Sequence, residues 1–420
     1  MRPRFTGLWR HPDFVRLWAG QTISVFGSLV GRTALPFTAI LYLHARPLQV
    51  ALVTASDVAA GICFGLVAGV WVDRLRRRPI MIAADVARAA ALASIPIAAV
   101  LGVLRVEQLY AVAFTAGLLT TFFDVAYQSY LPTIVRSEEL LEGNSKLTAS
   151  FSVAEFGAFS AAGWLVQLLT APGAILIDAI SFLFSAASLR SIRAPEPEPS
   201  PVAERQSVRV EVMEGMRLIA GDGVLRAVTA SMVMLSLAMG MVGAVFLIYT
   251  NQELGFSPGV LGLIFGIGGI TSFFGALAAG WSARRFGIGG AMMLSLCIAA
   301  IGMLAMAGAR EASLAGAALL VAQQVISDPA WTVYEINQIS LRQSITPERL
   351  LGRVNAAVRF AGLLATLAGA LTGGVVADRF GARPVVVAAA GAMLGGALVL
   401  FASPVRGLKV AAPIEEIAAG

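Results

Sequence analysis

Long apolar runs separated by short polar loops account for most of the chain. An α-helix needs roughly 20 such residues to cross the hydrocarbon of a bilayer, so each run is a candidate transmembrane helix. The runs cover 16–43, 48–71, 80–103, 107–134, 148–170 and 172–190, then 224–250, 258–282, 290–309, 312–339, 354–377 and 384–404, which predicts twelve helices. A transmembrane barrel would show segments of about ten residues with alternating polarity. Here the runs are continuous, which selects helices. The first run is longer than a signal-peptide core and no A-x-A-like site closes it, so the N-terminus is expected to be retained. Ahead of it, WRHPDFVRLW (9–18) reads as a short amphipathic segment lying at the interface.

One long polar stretch, Ser191–Gly223, separates the sixth and seventh runs and divides the chain six plus six. Its Pro/Glu repeat predicts an extended, flexible segment, and EVMEGMRLIA (211–220) predicts a surface helix leading into run seven. The expected organisation is an N-terminal six-helix bundle over 1–190, a cytoplasmic linker over 191–223, a C-terminal bundle over 224–405 and a cytoplasmic tail over 406–420. The halves share local texts. Asp124, Ala126 and Tyr130 of DVAYQSY reappear 204 positions later as Asp328, Ala330 and Tyr334 of DPAWTVY. Leu140, Leu141 and Asn144 resemble Leu350, Leu351 and Asn355 at an offset of 210 to 211, and Gly69 pairs with Gly280 at 211. Recurrence of this kind is the sign of an internal duplication.

Composition removes the soluble alternatives. The 420 residues are 57% hydrophobic and only 13% charged, with mean hydropathy +0.79. A soluble domain carries roughly 45–50% apolar and about 25% charged residues, so half the charge needed to wet a surface is missing. Disorder requires the reverse composition. Cys63 and Cys297 both lie in apolar runs, which leaves no disulfide framework or Cys-based zinc site. His11 and His44 lie far apart in sequence, which argues against a His-metal cluster or a Ser-His-Asp triad. No GxxxxGK[ST] loop is present, so ATP is not the energy source within the chain. No cofactor, no metal and no enzymatic activity are expected.

The net charge of +6 raises a nucleic-acid reading, which its distribution answers. With both termini placed inside, 23 of the 31 basic residues fall in inner segments or, like Arg16, Arg190 and Arg226, at the inner ends of runs, and only Arg46, Arg105, Arg310, Arg379 and Arg383 fall outside. Basic residues concentrate on the cytoplasmic side of membrane proteins. The bias therefore predicts cytoplasmic termini and accounts for the basic isoelectric point without a nucleic-acid partner.

The twelve runs, the central stretch and GVWVDRLRRRP (69–79) together resemble the major facilitator superfamily of secondary transporters. FVRLWAGQTIS (14–24), DVAYQSYLPTIV (124–135) and ITPERLLGRVNA (345–356) are similar, more narrowly, to its bacterial branch containing the enterobactin exporter and macrolide-efflux relatives. The resemblance implies an all-α membrane protein of twelve transmembrane helices, in two pseudo-symmetric six-helix bundles with a substrate cavity between them. It implies a monomer in the bacterial inner membrane that works by alternating access and exports a small, partly apolar compound against proton entry. Facilitated diffusion or uptake remains open as an alternative, as does a non-transporting membrane scaffold or a membrane-embedded enzyme. No nucleophile-base constellation supports the enzyme. FGAFSAAGWLV (156–166) lacks the Gly-Pro pair that ends span five in the family's antiporters.

The family's loop signature is G-x-x-x-D-R-x-G-R-[RK]. Gly69, Asp73, Arg74, Arg77 and Arg78 match it, and Arg76 replaces the second glycine. Gly69 would allow close helix approach, Asp73 could face a helix N-terminus in the other half, and the arginines could hold lipid phosphates or acidic partners. Such a contact would act as a gate. The alternative is a positive-inside anchor only. GWSARRFG (280–287) carries Arg284 where Asp73 would sit, so the gate is expected to be asymmetric.

Charges inside the spans need a reason, since each costs roughly 2.5–3.5 kcal/mol at a helix centre on insertion scales. Arg32 and Asp57 lie at similar depths in spans one and two, and could pair across antiparallel neighbours. Asp124 and Asp328 occupy repeat-equivalent places, and with Glu335 are candidates to take and release a proton as water access alternates. Asp124 is the preferred one, because Asp328 precedes Pro329 and a helix irregularity is expected there. The alternative is that each carboxyl simply hydrogen-bonds a neighbouring helix. Glu155, Glu335 and Arg359 lie near cytoplasmic helix ends and can snorkel, and Asp178 is expected to be a structural hydrogen-bonding residue. Tyr127, Tyr130, Trp331 and Tyr334 accompany the two aspartates and are candidates to line the cavity. Helix packing would explain the same aromatics.

Overall fold

In a computed structural model of the chain, residues 7–136, 139–196 and 208–408 are described, apart from certain side chains within the helices. Thirteen α-helices occur among them. The first six apolar runs become α1 (Pro12–Phe37), α2 (Pro47–Arg74), α3 (Arg77–Val100), α4 (Val106–Ile134), α5 (Leu140–Leu169) and α6 (Ala171–Ser191). The polar stretch contributes α7 (Val208–Gly221). The last six runs become α8 (Gly223–Leu247), α9 (Pro258–Phe286), α10 (Ile288–Gly308), α11 (Leu314–Ile345), α12 (Glu348–Phe380) and α13 (Ala382–Phe401).

Among the described residues, ten helices are long and apolar enough to cross a membrane by length and composition. Helix α11 falls short for a local reason: polar side chains interrupt its hydropathy, namely Gln323, Gln324, Asp328, Glu335, Asn337, Gln338 and Arg342. Helix α5 begins before its apolar run and α11 continues past the end of its own, because backbone hydrogen bonding does not stop where hydrocarbon does.

The caps follow from sequence. His11 Nδ1 accepts the Phe14 N–H at 3.2 Å, and Pro12 opens α1 where no N–H is needed. Asp222 accepts from Val224 and Leu225 at 2.8 and 2.7 Å, which ends the linker helix and starts α8. The segment before α1 departs from the interfacial expectation. Leu8 and Phe14 are fully buried in the core of the first bundle with Leu17, Tyr130 and Leu131. The Leu8 N–H is held by Glu142 at 3.1 Å, and Lys146 Nζ sits 4.2 Å from the Trp9 ring centre. Its apolar face finds a protein groove, which hides it as well as a headgroup layer would.

The duplication is visible in the backbone. Helix α1 ends in a π-helical turn at Thr38–Tyr42, and α8 ends in one at Ile248–Glu253. His44 and Gly255, 211 positions apart, both take a left-handed conformation (φ 49° and 86°). So do Thr170 and Gly381 (φ 67° and 82°), at the same separation. In the second copy glycine takes these positions without steric cost, whereas His44 and Thr170 hold the same turns against it. Helix pairing repeats as well: α1–α6, α3–α6, α3–α4 and α1–α5 in the first copy match α8–α13, α10–α13, α10–α11 and α8–α12 in the second.

By contacts the chain divides into two compact units, one of residues 1–45, 56–205 and 257–263, the other of residues 46–55, 206–256 and 264–420. In the second unit, Tyr334, Met292, Leu296, Met393 and Leu400 form the centre of the core. Helices α8 and α12 meet there through small residues: a side chain at Gly240 would strike the Thr366 carbonyl, and one at Gly369 the Leu237 carbonyl. Close backbone approach of this kind is how membrane helices gain contact without a hydrophobic driving force.

Candidate functional site

The signature loop lies at the junction of α2 and α3. Gly69, Asp73 and Arg74 are in the last turns of α2, and their side chains lie outside the described residues, as does that of Glu155 in α5. Arg77 and Arg78 open α3. Their backbone N–H groups both donate to the carboxylate of Glu196, the Arg78 bond measuring 3.2 Å, and the Arg78 guanidinium donates to the Arg190 carbonyl at 2.5 Å. A carboxylate at a helix N-terminus satisfies orphan donors and meets the positive end of the helix dipole. Asp13 fastens the same strand of chain by accepting from the N–H groups of Arg193 and Ala194 at 3.1 and 2.9 Å. The start of the Pro/Glu stretch is therefore tied down rather than free, a role for Glu196 that composition alone did not signal.

The paired candidates of the first unit form a loose ion pair. Arg32 Nη2 and Asp57 Oδ2 stand 4.0 Å apart, with both side chains well exposed. Asp124 is exposed on α4. Tyr127 stacks on Phe123 with ring centres 6.2 Å apart. Tyr130 is fully buried among Leu8, Phe14 and Leu131, so it is a packing residue and not a cavity wall.

A charge cluster that was not anticipated lies deep in this unit. Asp85 is 0% exposed, and Arg88 and Asp178 are each 4% exposed. The Arg88 guanidinium donates to Asp85 one turn earlier on α3 and to Thr120 Oγ1 on α4 at 3.2 Å. It is sandwiched between the Phe123 and Phe182 rings, 4.5 and 4.0 Å from their centres. Asp178 on α6 accepts from Ser28 at 3.4 Å and Ser181 at 3.5 Å, as its hydrogen-bonding role required. The i, i+3 spacing of Asp85 and Arg88 inside an apolar run was the available signal. The partners from α1, α4 and α6 had none.

In the second unit a cavity of about 410 Å³ opens between α8, α11 and α12. Helix α11 presents Trp331, Glu335, Gln338 and Arg342 to it, a spacing of four, three and four that keeps all of them on one helix face. Helix α8 supplies Met232, Leu235, Ser236 and Met239. Helix α12 supplies Asn355, Val358, Arg359, Gly362, Leu363 and Thr366. One wall is thus apolar and the other carries amide and charged groups. Gln338 is the hinge of the polar wall: its amide donates to Glu335 Oε1 at 3.1 Å and accepts from Arg342 Nη1 at 3.0 Å. Trp331 and Glu335 were singled out in sequence. Arg342 was not, since it was assigned to an inner loop, and the extension of α11 through Ile345 brings it into the wall. Arg359, expected to snorkel, lines the cavity and is exposed.

Two further candidates on α11 separate. Tyr334, expected in the cavity wall, is fully buried, and its hydroxyl is 2.7 Å from Ser231 Oγ on α8, so it fills the core as its repeat partner Tyr130 does. Asp328 faces α9, where a side chain at Gly268 would meet its carboxyl and the Gln324 amide. Helix α11 extends through Pro329, whose missing N–H leaves one bond out of the helix ladder. Asp328 stands one turn before Trp331 on the face that carries the cavity residues.

The model of the Major Facilitator Superfamily matches residues 17–370. The chain belongs to this superfamily. It is 25% identical over 399 residues to the MFS-type transporter YfiS of Bacillus subtilis, covering 87% of each chain. It is 28% identical over 211 residues to macrolide efflux protein A of Streptococcus pyogenes, covering 49% of this chain and 51% of that one. Among solved structures, a bacterial homologue of the iron transporter ferroportin in its inward-facing state superposes with TM-score 0.75 at 17% identity, over 94% of this chain and 99% of that one. The nucleoside transporter NupG gives 0.76 at 14%, over 93% and 98%. At these identities the solved structures establish the major facilitator fold. The chain is accordingly a multi-pass membrane protein and a secondary transporter, not an enzyme.

Proposed function

We propose that this chain is a monomeric bacterial inner-membrane exporter, which moves a small, partly apolar compound outward by alternating access in exchange for protons. The observation that carries the reading is the cavity of the second unit, with an apolar wall of methionine and leucine on α8 facing ionisable groups on α11. Pockets that bind small molecules combine these two qualities, a mostly apolar lining and a few placed polar groups. Similarity to a macrolide efflux protein over half the chain supports the outward direction. Asp328 is the working carboxyl in this reading, because its position three residues before Trp331 and seven before Glu335 on α11 places it in line with the cavity residues of that helix. Asp124 is its counterpart in the first unit, and Glu335 the alternative inside the cavity wall.

Inverted membrane vesicles containing the protein test the reading. With the vesicle interior acidified, a cargo compound should accumulate inside, and a protonophore should abolish the accumulation. Accumulation indifferent to the protonophore would mean facilitated diffusion.

Two subsidiary outcomes are expected. Cysteine labelling should find residues 191–223 and both termini inaccessible from outside intact cells, as the arginine bias requires. Labelling of that stretch from outside would reverse the topology. Asp73→Asn should lower turnover several-fold while insertion and thermal stability stay near those of the parent, since it removes the charge of the loop signature and keeps the side chain's size. Unchanged transport would reduce the loop to a topology signal.

A further inference from the structure

Arg342 has more donors than the protein uses. It is 9% exposed and lines the cavity, yet its described hydrogen bond runs from Nη1 to the neutral amide oxygen of Gln338. Its Nε has no partner, and among the described residues no carboxylate comes within 4.0 Å of the guanidinium. A guanidinium offers five N–H donors and cannot shed its charge. An arginine placed only to snorkel would hold its head in water, and one placed only to cap α11 would bind the terminal carbonyls of that helix. Arg342 does neither.

The surrounding groups point the same way. Glu335, the acid in the wall, is engaged by the Gln338 amide, which stands between the two charges and keeps them from pairing directly. Arg359 on α12 adds a second cation, also with no described carboxylate within ion-pair distance, so the cavity wall carries one net positive charge. Asn355 Oδ1, on the same helix, is buried without a partner. This unsatisfied end of the amide presents N–H donors after a flip of the side chain. Opposite these groups, Met232 and Met239 form a deformable apolar surface.

We infer that the cargo is an amphipathic organic anion, with its acid group bound by Arg342 and Arg359 and its apolar body on the methionine wall. This rests on the reading of the cavity as the cargo site. The acid supplies the acceptor oxygens that the buried guanidinium lacks, and a guanidinium matches a carboxylate or phosphate in planar, two-point geometry. Anionic cargo also leaves an inside-negative cell down the electrical gradient, so membrane potential adds to the driving force for export.

The test uses three isosteric probes against the purified full-length protein in nanodiscs: 1-naphthoate, 1-naphthylmethanol and 1-naphthylmethylammonium. Binding is read by calorimetry. Naphthoate should bind roughly tenfold or more tightly than the alcohol, as expected for a charge-assisted contact, and the ammonium should bind weakest. Arg342→Gln should bring naphthoate down to the alcohol's affinity, and Arg342→Lys should restore part of the difference. Arg359→Gln, at an exposed position with little packing to lose, should weaken naphthoate alone by several-fold and serves if the Arg342 variants fail to fold. No naphthoate binding, equal binding of all three probes, or a preference for the ammonium overturns the inference. Transport separates this from the broader reading: naphthoate carried without regard to a pH gradient would defeat proton coupling and leave the acid-binding site standing.

Discussion

Arg88→Met should cost the first unit about 3–5 kcal/mol of stability, the range found when one partner of a buried ion pair is removed. The wild-type arrangement shows why. Asp85 is fully buried and bonded to the guanidinium, Asp178 is close to fully buried, and two aromatic rings enclose the cation on either side. Taking the guanidinium away leaves two carboxyl groups with no cation inside the packing, and it strips both rings of a desolvated cation, a contact worth up to about 2 kcal/mol. The double variant Asp85→Asn/Arg88→Met should recover part of the loss, because the carboxyl bonded to the guanidinium is then neutral and Asp178 is the one acid of the cluster left without its cation. Thermal unfolding in a fixed detergent distinguishes the two. If Arg88→Met unfolds at the parent temperature, the cluster is not buried as the packing around it indicates.

Asp328→Asn should abolish uphill, proton-driven export and spare downhill exchange of the same compound. A carboxyl group that carries the coupling proton must lose and regain its charge in each cycle, and asparagine imitates only its protonated form. Exchange needs no net proton movement, so it survives. The same substitution at Asp124 provides the comparison between repeats, and Glu335→Gln provides one between the coupling and cargo-facing ends of the α11 stripe. Full uphill export by the Asp124→Asn/Asp328→Asn double variant would remove both aspartates from consideration and move the search to Glu335 and to the Arg32–Asp57 ion pair.

Asp328 is legible in the sequence as an acid inside an apolar run, at a position matched by an acid in the other half. The Arg88 cluster is not, although Asp85 and Arg88 are equally unusual inside their run. A charge in a span announces its cost by itself, but what offsets that cost sits on other helices. Phe123, Phe182, Thr120 and Asp178 reach Arg88 from α4 and α6, and nothing in the local text links them.

The twelve apolar runs, their duplication and the superfamily are legible in the sequence, because run length, loop chemistry and repeated text are local properties that the bilayer reads directly. What each face of a helix meets is not local. Tyr334 and Glu335 are one residue apart on α11, yet Tyr334 packs into the core against Ser231 of α8 while Glu335 lines the cavity between α8, α11 and α12. Arg342 changed from a loop charge to a buried, under-used donor when α11 ran past the end of its apolar text. Hydropathy marks where hydrocarbon ends, whereas a helix ends where its hydrogen bonds and caps end, and the cavity-lining Arg342 lies in the interval between the two.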